Sequence, residues 1–192
     1  MSIQTLCAKP VAVSKLPTQY KGLKDAFSNV GLTHAEGVKD IGRIASFIEL
    51  ANRECVIVSD ADKPALEKQK LHKAEKRHGE WLTYDELLAS SVTTEEDFIE
   101  PTTFMPILKK IRARKTELPE LKVESLQVEA NRLHVIQTWL EKAFSKDEVK
   151  PILNEIKEEL FNNLKTSQIE SRYYEFLEKL ASELVTNKNV AP

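Results

Sequence analysis

One segment narrows the possible folds more than any other. Cys55-Val-Ile-Val58 is apolar, β-branched and unbroken, and it runs directly into Ser59-Asp60-Ala61-Asp62. An apolar run that short suits a strand covered on both faces, as in parallel sheets sheathed by helices. Upstream, Val11-Ala-Val13 after Pro10 predicts a short strand, Tyr20 to Phe27 a helix, and Gly31 to Ala35 a second strand. Ile41, Ile44, Ala45 and Ile48 recur at helical spacing and predict an amphipathic helix over residues 39–52. Trp81-Leu-Thr-Tyr84 predicts a further strand. Strands alternating with helices in this order predict an α/β fold with a parallel sheet, Val56–Val58 at its centre.

The second part of the chain reads as helix throughout. The predicted division is an α/β domain over residues 1–115 and a helical domain over 116–192. Leu126, Leu133, Ile136, Leu140 and Phe144 predict one apolar helix face, with Trp139 beside it. Ser145-Lys-Asp-Glu148 reads as a capping box before a second helix through Val149, Ile152, Ile156 and Leu160. Ser167-Gln-Ile-Glu170 reads as another, before a third helix through Tyr173, Phe176, Leu180 and Leu184. Three antiparallel helices with short connections follow, and residues 186–192 are expected to fray.

Charge and cysteine content remove several function classes. The 192 residues carry 28 Lys and Arg against 30 Asp and Glu, a net charge of -2, which excludes nucleic-acid binding by bulk charge alone. Cys7 and Cys55 form no CxxC pair, which argues against a disulfide scaffold or a Cys-rich zinc site and fits a reducing, cytoplasmic setting. The first residues lack a basic stretch before a long apolar run, which argues against a signal peptide. No stretch approaches the roughly 18 apolar residues of a membrane span, so no membrane partner is expected. The phosphate-loop pattern GxxxxGK[ST] is absent, so any ATPase involved lies in a partner or in a further region.

Asp60 and Asp62 are the strongest candidates for chemistry. They stand two positions apart at the carboxyl end of the predicted strand, where α/β sheets gather their ligands. Alternation along an extended chain turns both carboxylates to one side. Like charges held that close repel unless a cation lies between them or one is protonated. A hard divalent ion, Mg²⁺ or Mn²⁺, satisfies that arrangement. The alternative is a turn, with Asp62 capping the helix that begins near Pro64. A second acidic cluster, Thr94-Glu95-Glu96-Asp97, has the same ambiguity, because acids after a threonine also mark a helix start.

Together these segments resemble a known family. Val56-Ile-Val-Ser-Asp-Ala-Asp-Lys-Pro64, Gly79-Glu-Trp-Leu-Thr-Tyr-Asp-Glu-Leu-Leu88 and Thr94-Glu-Glu-Asp-Phe-Ile-Glu-Pro101 are similar to the TOPRIM domain of the overcoming-lysogenization-defect (OLD) family nucleases. The stretch from Glu36-Gly37 through Asp40 and Arg43 to Ile48 adds to the likeness, which covers roughly residues 9–112. The resemblance implies a TOPRIM-like fold and metal-dependent cleavage of DNA, in a system with an ABC-type ATPase domain or subunit. It further implies an oligomeric assembly and a place in anti-phage defence. By the same resemblance Asp60 and Asp62 hold the metal, Glu96 and Asp97 complete its site, and Lys63 stands beside the phosphates. Metal ions in such a site activate water and stabilise charge on the phosphate oxygens.

One departure bears on activity. TOPRIM domains carry a glutamate, usually followed by glycine, after the first strand. The register that fits the later segments puts Ser14-Lys15 there. A rival register uses Glu36-Gly37 and Asp40, but only one helix fits in the 24 residues between Glu36 and Asp60. The first register implies a degenerate domain, one that has lost cleavage or is completed by another chain. The alternative reading of the whole chain is a non-catalytic module that assembles with an ATPase or nuclease partner. Two basic runs, residues 68–78 and 109–115, are either solvated surfaces or phosphate-contacting faces. The four histidines show no paired metal spacing.

Overall fold

A computed structural model describes residues 40–88, 92–128 and 131–188, together with Leu23, Phe27, Val30 and Gly31. The expected strands at Val11–Val13 and Gly31–Ala35, most of the helix at Tyr20–Phe27, and the positions Ser14, Lys15 and Glu36 lie outside the described residues. The described chain is mixed α/β and mostly helical. It divides into two compact units, one from Glu95–Ser171 and one from the described parts of residues 16–94 and 172–192. The observed division therefore differs from the expected boundary at residue 115. The helix before 115 belongs with the helical unit, and the last helix belongs with the α/β unit.

The α/β unit begins with α1 (Ile41–Leu50), which buries Ile41 and Ala45 one turn apart. Strand β1 (Val56–Ser59), helix α2 (Lys63–Ala74) and strand β2 (Glu80–Thr83) then form a β–α–β unit. The strands pair in parallel, with Val56 opposite Glu80 and Ser59 opposite Thr83. Parallel neighbours need a crossover, and α2 supplies it. Among the described residues the sheet has two strands, and Val56, Ile57 and Val58 are half-buried. The apolar run forms the expected strand in the expected direction, while the interior, fully covered position expected for it is not seen in this pair.

The return into β2 depends on Gly79. Its φ of +88° lies in the left-handed region, and a Cβ there would collide with Cys55 Sγ. His72 Nε2 donates to the Gly79 carbonyl at 2.8 Å and pins the same turn to α2. After β2 comes the short helix α3 (Tyr84–Leu88), where the Thr83 hydroxyl donates to Asp85 Oδ1 at 2.6 Å and the Thr83 N–H to Glu86 Oε2 at 3.0 Å. Gln69 and Lys73 on α2 donate to the same carboxylate. Burial pushes the Glu86 pKa up, but these donors outweigh it and hold the group below the usual carboxylate range. Trp81, Tyr84 and Leu87 are buried, and Tyr84 meets Phe176 edge-on at 5.3 Å between ring centroids. Phe176 lies on α8 (Ser171–Lys188). That helix extends through residues 186–188, which were expected to fray.

The helical unit contains a 3₁₀ turn (Glu95–Phe98), α4 (Pro101–Arg114), α5 (Val123–Val128), α6 (Arg132–Leu140) and α7 (Lys146–Asn163). Its core includes Phe98, Phe104, Ile111, Leu126, Ile136, Ile156 and Leu160. Lys110 pairs with Glu159 and Arg114 with Glu155. The partners run in opposite directions along the two helices, so α4 and α7 are antiparallel. The expected capping box at Ser145 is present, Glu148 accepting from the Ser145 N–H at 2.9 Å.

Two helical expectations are corrected. The continuous helix expected from Leu126 through Phe144 is divided, and Asn131 has φ 73°, ψ 65°, a left-handed conformation no α-helix continues through. Asparagine tolerates that region, and its side chain accepts from the His134 N–H to start α6. The expected box at Ser167–Glu170 is not formed. Ser167 lies in a 3₁₀ turn (Thr166–Gln168), and Glu170 is engaged by Arg132 instead.

Candidate functional site

The two acidic pairs fall in different units. Asp60 and Asp62 follow β1 in the α/β unit, at the carboxyl end of a parallel strand as the sequence predicts. Hydrogen bonds fix this end. Trp81 Nε1 donates to Ser59 Oγ at 2.9 Å, and Ser59 Oγ donates to the Asp60 carbonyl at 3.0 Å. The Ala61 N–H donates to the Thr93 carbonyl at 2.8 Å. Asp62 is extended, with φ -78° and ψ 163°, and its Oδ1 accepts from the Ala65 N–H at 2.9 Å. It is the N-cap of α2, with Pro64 in the first turn where its lost N–H costs nothing. Lys63, the first residue of α2, is exposed.

Glu96 and Asp97 are built into the helical unit. Glu96 is 1% exposed, and its Oε1 lies 2.8 Å from Lys157 Nζ on α7. Asp97 is 2% exposed. Its Oδ2 accepts from the Asn131 N–H at 3.0 Å and its Oδ1 from the Arg132 N–H at 2.8 Å. A carboxylate at a helix N-terminus satisfies donors that have no partner within the helix and opposes the positive end of its dipole. Here that helix is α6, and the acid comes from 34 residues earlier in the chain.

Arg132 holds the same region from the other side. Its side chain is buried and donates to the carbonyls of Leu126, Asp97 and Ile99, and it pairs with Glu170. Ile169 forms an antiparallel bridge to Ile99, and the Glu170 N–H donates to the Phe98 carbonyl at 2.8 Å. The residues after the acidic cluster are thus tied to two later segments through one guanidinium. The sequence reading missed Arg132 and Lys157 and gave Glu170 a different role, as the acid of a capping box. A cation embedded among Leu126, Leu133 and Ile136 is the available signal, because a charge inside an apolar period must find partners.

As a donor set for a divalent ion, these residues fit poorly. Each Asp97 oxygen accepts a backbone N–H, a Glu96 oxygen faces an ammonium, and one Asp62 oxygen caps a helix. Among the described residues no three His, Cys, Asp or Glu side chains gather as a metal-binding group. Cys55 is not primed for nucleophilic work, because burial and then the Glu54 charge push its thiol pKa up. No helix among the described residues is long and apolar enough to cross a membrane. No protein-family model matches the chain, and no curated protein or solved structure shows significant similarity to it.

Proposed function

We propose that this chain is a degenerate TOPRIM-like component of an OLD-type nuclease system, one that does not cleave DNA by itself and serves beside an ABC-type ATPase partner. Support for the TOPRIM part comes from Asp60 and Asp62 at the carboxyl end of a parallel β–α–β unit, the segment order the sequence resemblance requires. The observation that carries the degenerate part is Asp97, whose two oxygens are both taken by the α6 N-terminus. A carboxylate in that position contributes to folding, and recruiting it to a Mg²⁺ or Mn²⁺ ion would uncap α6 and take the acceptor from the buried Arg132 N–H and the part-buried Asn131 N–H. Ser14 in the place of the expected glutamate agrees with this reading. General acid–base help is typically worth about 10²–10⁴-fold in rate, so its loss alone would leave little cleavage.

The test is a nicking assay on supercoiled and linear DNA with Mg²⁺ or Mn²⁺, run on the chain alone and with a candidate ABC-type ATPase. The expected result is no cleavage by the chain alone. Mn²⁺-dependent nicking by the isolated chain, abolished in Asp60→Ala, would overturn the proposal. A thermal shift with millimolar Mn²⁺ that disappears in Asp60→Asn would show retained metal binding without cleavage.

A further inference from the structure

The basic run on α4 is divided by the fold into three different environments. Lys110 and Arg114, one turn apart, are paired with Glu159 and Glu155 on α7. Lys115 lies over the Phe144 ring, 5.1 Å from its centroid. Lys109 and Arg112 have no acidic partner among the described residues. With Met105 and Leu108 they occupy one face of α4, at spacings of three and four residues.

That face forms one wall of a groove of about 410 Å³ contained within the helical unit. Its exposed apolar surface comes from Met105 and Leu121, with the buried Leu108 and Trp139 behind them, and its charged surface from Lys109, Arg112 and Glu120. The far wall is the segment between α4 and α5, and it is held in place. Trp139 Nε1 donates to the Pro119 carbonyl at 2.8 Å, and Arg112 Nε donates to the Leu118 carbonyl at 3.1 Å. Leu118 is itself buried. A groove fixed this way needs little ordering when it binds, which favours affinity.

We propose that this groove is a docking site for a peptide segment of a partner protein, one that places a large apolar side chain beside carboxylates. Charge complementarity selects that occupant. Two cations face the groove from α4 against one acid on the far wall, and the neighbouring cations of the same helix are already neutralised. The apolar side chain packs against Met105 and Leu121, and its flanking carboxylates meet Lys109 and Arg112. Guanidinium and ammonium groups at such a rim set specificity and association rate, while the buried apolar anchor supplies most of the affinity. This inference concerns the helical unit and stands independently of any nuclease activity.

The probe is a fluorescein-labelled peptide of about twelve residues in which leucine and tryptophan alternate with pairs of Asp and Glu, a length that spans a groove of this kind. Its counterpart carries Lys and Arg in the acidic positions. Fluorescence anisotropy on the full chain is expected to show the acidic peptide bound roughly tenfold more tightly than its counterpart, or better. The double variant Lys109→Glu, Arg112→Glu should reverse that preference, and Met105→Glu should abolish binding of both. Lys70→Glu, on α2 of the other unit, should leave it unchanged and so separates groove binding from general charge attraction. Circular dichroism of each variant establishes that it is folded. Absence of binding by the acidic peptide, equal binding of both peptides, or a double variant that binds as the native chain does would each overturn the proposal.

Discussion

Asp60–Asp62 and Glu96–Asp97 are short acidic clusters of similar composition, each beside a helix start, and the two units use them differently. At the end of β1 the acids lie partly open to solvent, and Asp62 caps a helix that follows it directly. In the helical unit the acids are buried, and their partners come from α6 and α7, tens of residues away in sequence. A local cap stabilises one helix. A distant cap also fixes where that helix starts relative to the rest of the core. The physical distinction is burial. A solvated carboxylate is free to exchange partners at little cost, whereas a buried one must keep the partners that offset its desolvation.

The sharpest way to break this comparison is to remove the guanidinium that organises the buried cluster. Arg132→Ala leaves the Leu126, Asp97 and Ile99 carbonyls and the Glu170 carboxylate without their donor. Breaking a buried ion pair by deleting one partner costs about 3–5 kcal/mol, so urea unfolding should show a loss of that order. Arg132→Lys should recover only part of it, because an ammonium cannot reach four acceptors in the geometry of a planar fork. A loss below ~1 kcal/mol would mean that the cluster is wet and its organisation loose.

Asp97→Asn comes next. The amide keeps one acceptor oxygen and turns an NH₂ toward the second backbone N–H, which leaves that donor unsatisfied at a cost of about 1–3 kcal/mol. The corresponding change at the other cluster, Asp62→Ala, should cost about 1 kcal/mol as the loss of an N-cap, and Asp62→Ser should restore most of it. The two tryptophans report the units separately, since Trp81 is buried in the α/β unit and Trp139 in the helical unit. Fluorescence of Trp81→Phe and Trp139→Phe backgrounds should place each effect in its own unit. An Asp97→Asn effect seen equally through Trp81 would show that the two units unfold as one.

These differences explain what could be read from the sequence and what could not. Strand β1, the crossover α2, strand β2 and the Ser145 cap depend on residues close together in the chain, through patterning and turn chemistry, and local reading finds them. The role of Asp97 depends on Asn131 and Arg132, and that of Glu170 on Arg132, which no local pattern connects. Glu170 shows the effect plainly. Three residues after Ser167 it has the spacing of a capping box, yet a buried guanidinium is the stronger competitor for its carboxylate. The division of the helix at Asn131 has the same origin. The apolar period continues across it, but the distant Asp97 accepts the N–H groups of a new helix start.

Acid titration gives the finest test, because each unit holds carboxyls whose pKa values are lowered. In the α/β unit, donors from Lys73, Thr83 and Gln69 keep Glu86 ionised against burial. In the helical unit, the Arg114 guanidinium lowers Glu155, and Ser145 lowers Glu148. A folded-state pKa below the unfolded one stabilises fully above the ordinary glutamate value of about 4.3, and that stability is lost as pH falls through the lower folded value. Both units should therefore weaken on acidification below roughly pH 4.5. Glu86→Gln should flatten the pH dependence reported by Trp81 and leave that of Trp139 alone, while Glu155→Gln should do the reverse. Both effects should be small, since these side chains are partly or largely exposed and water screens them. A Glu86→Gln variant whose Trp81 profile keeps its full slope between about pH 5 and 3 would assign the acid sensitivity of that unit to other carboxylates.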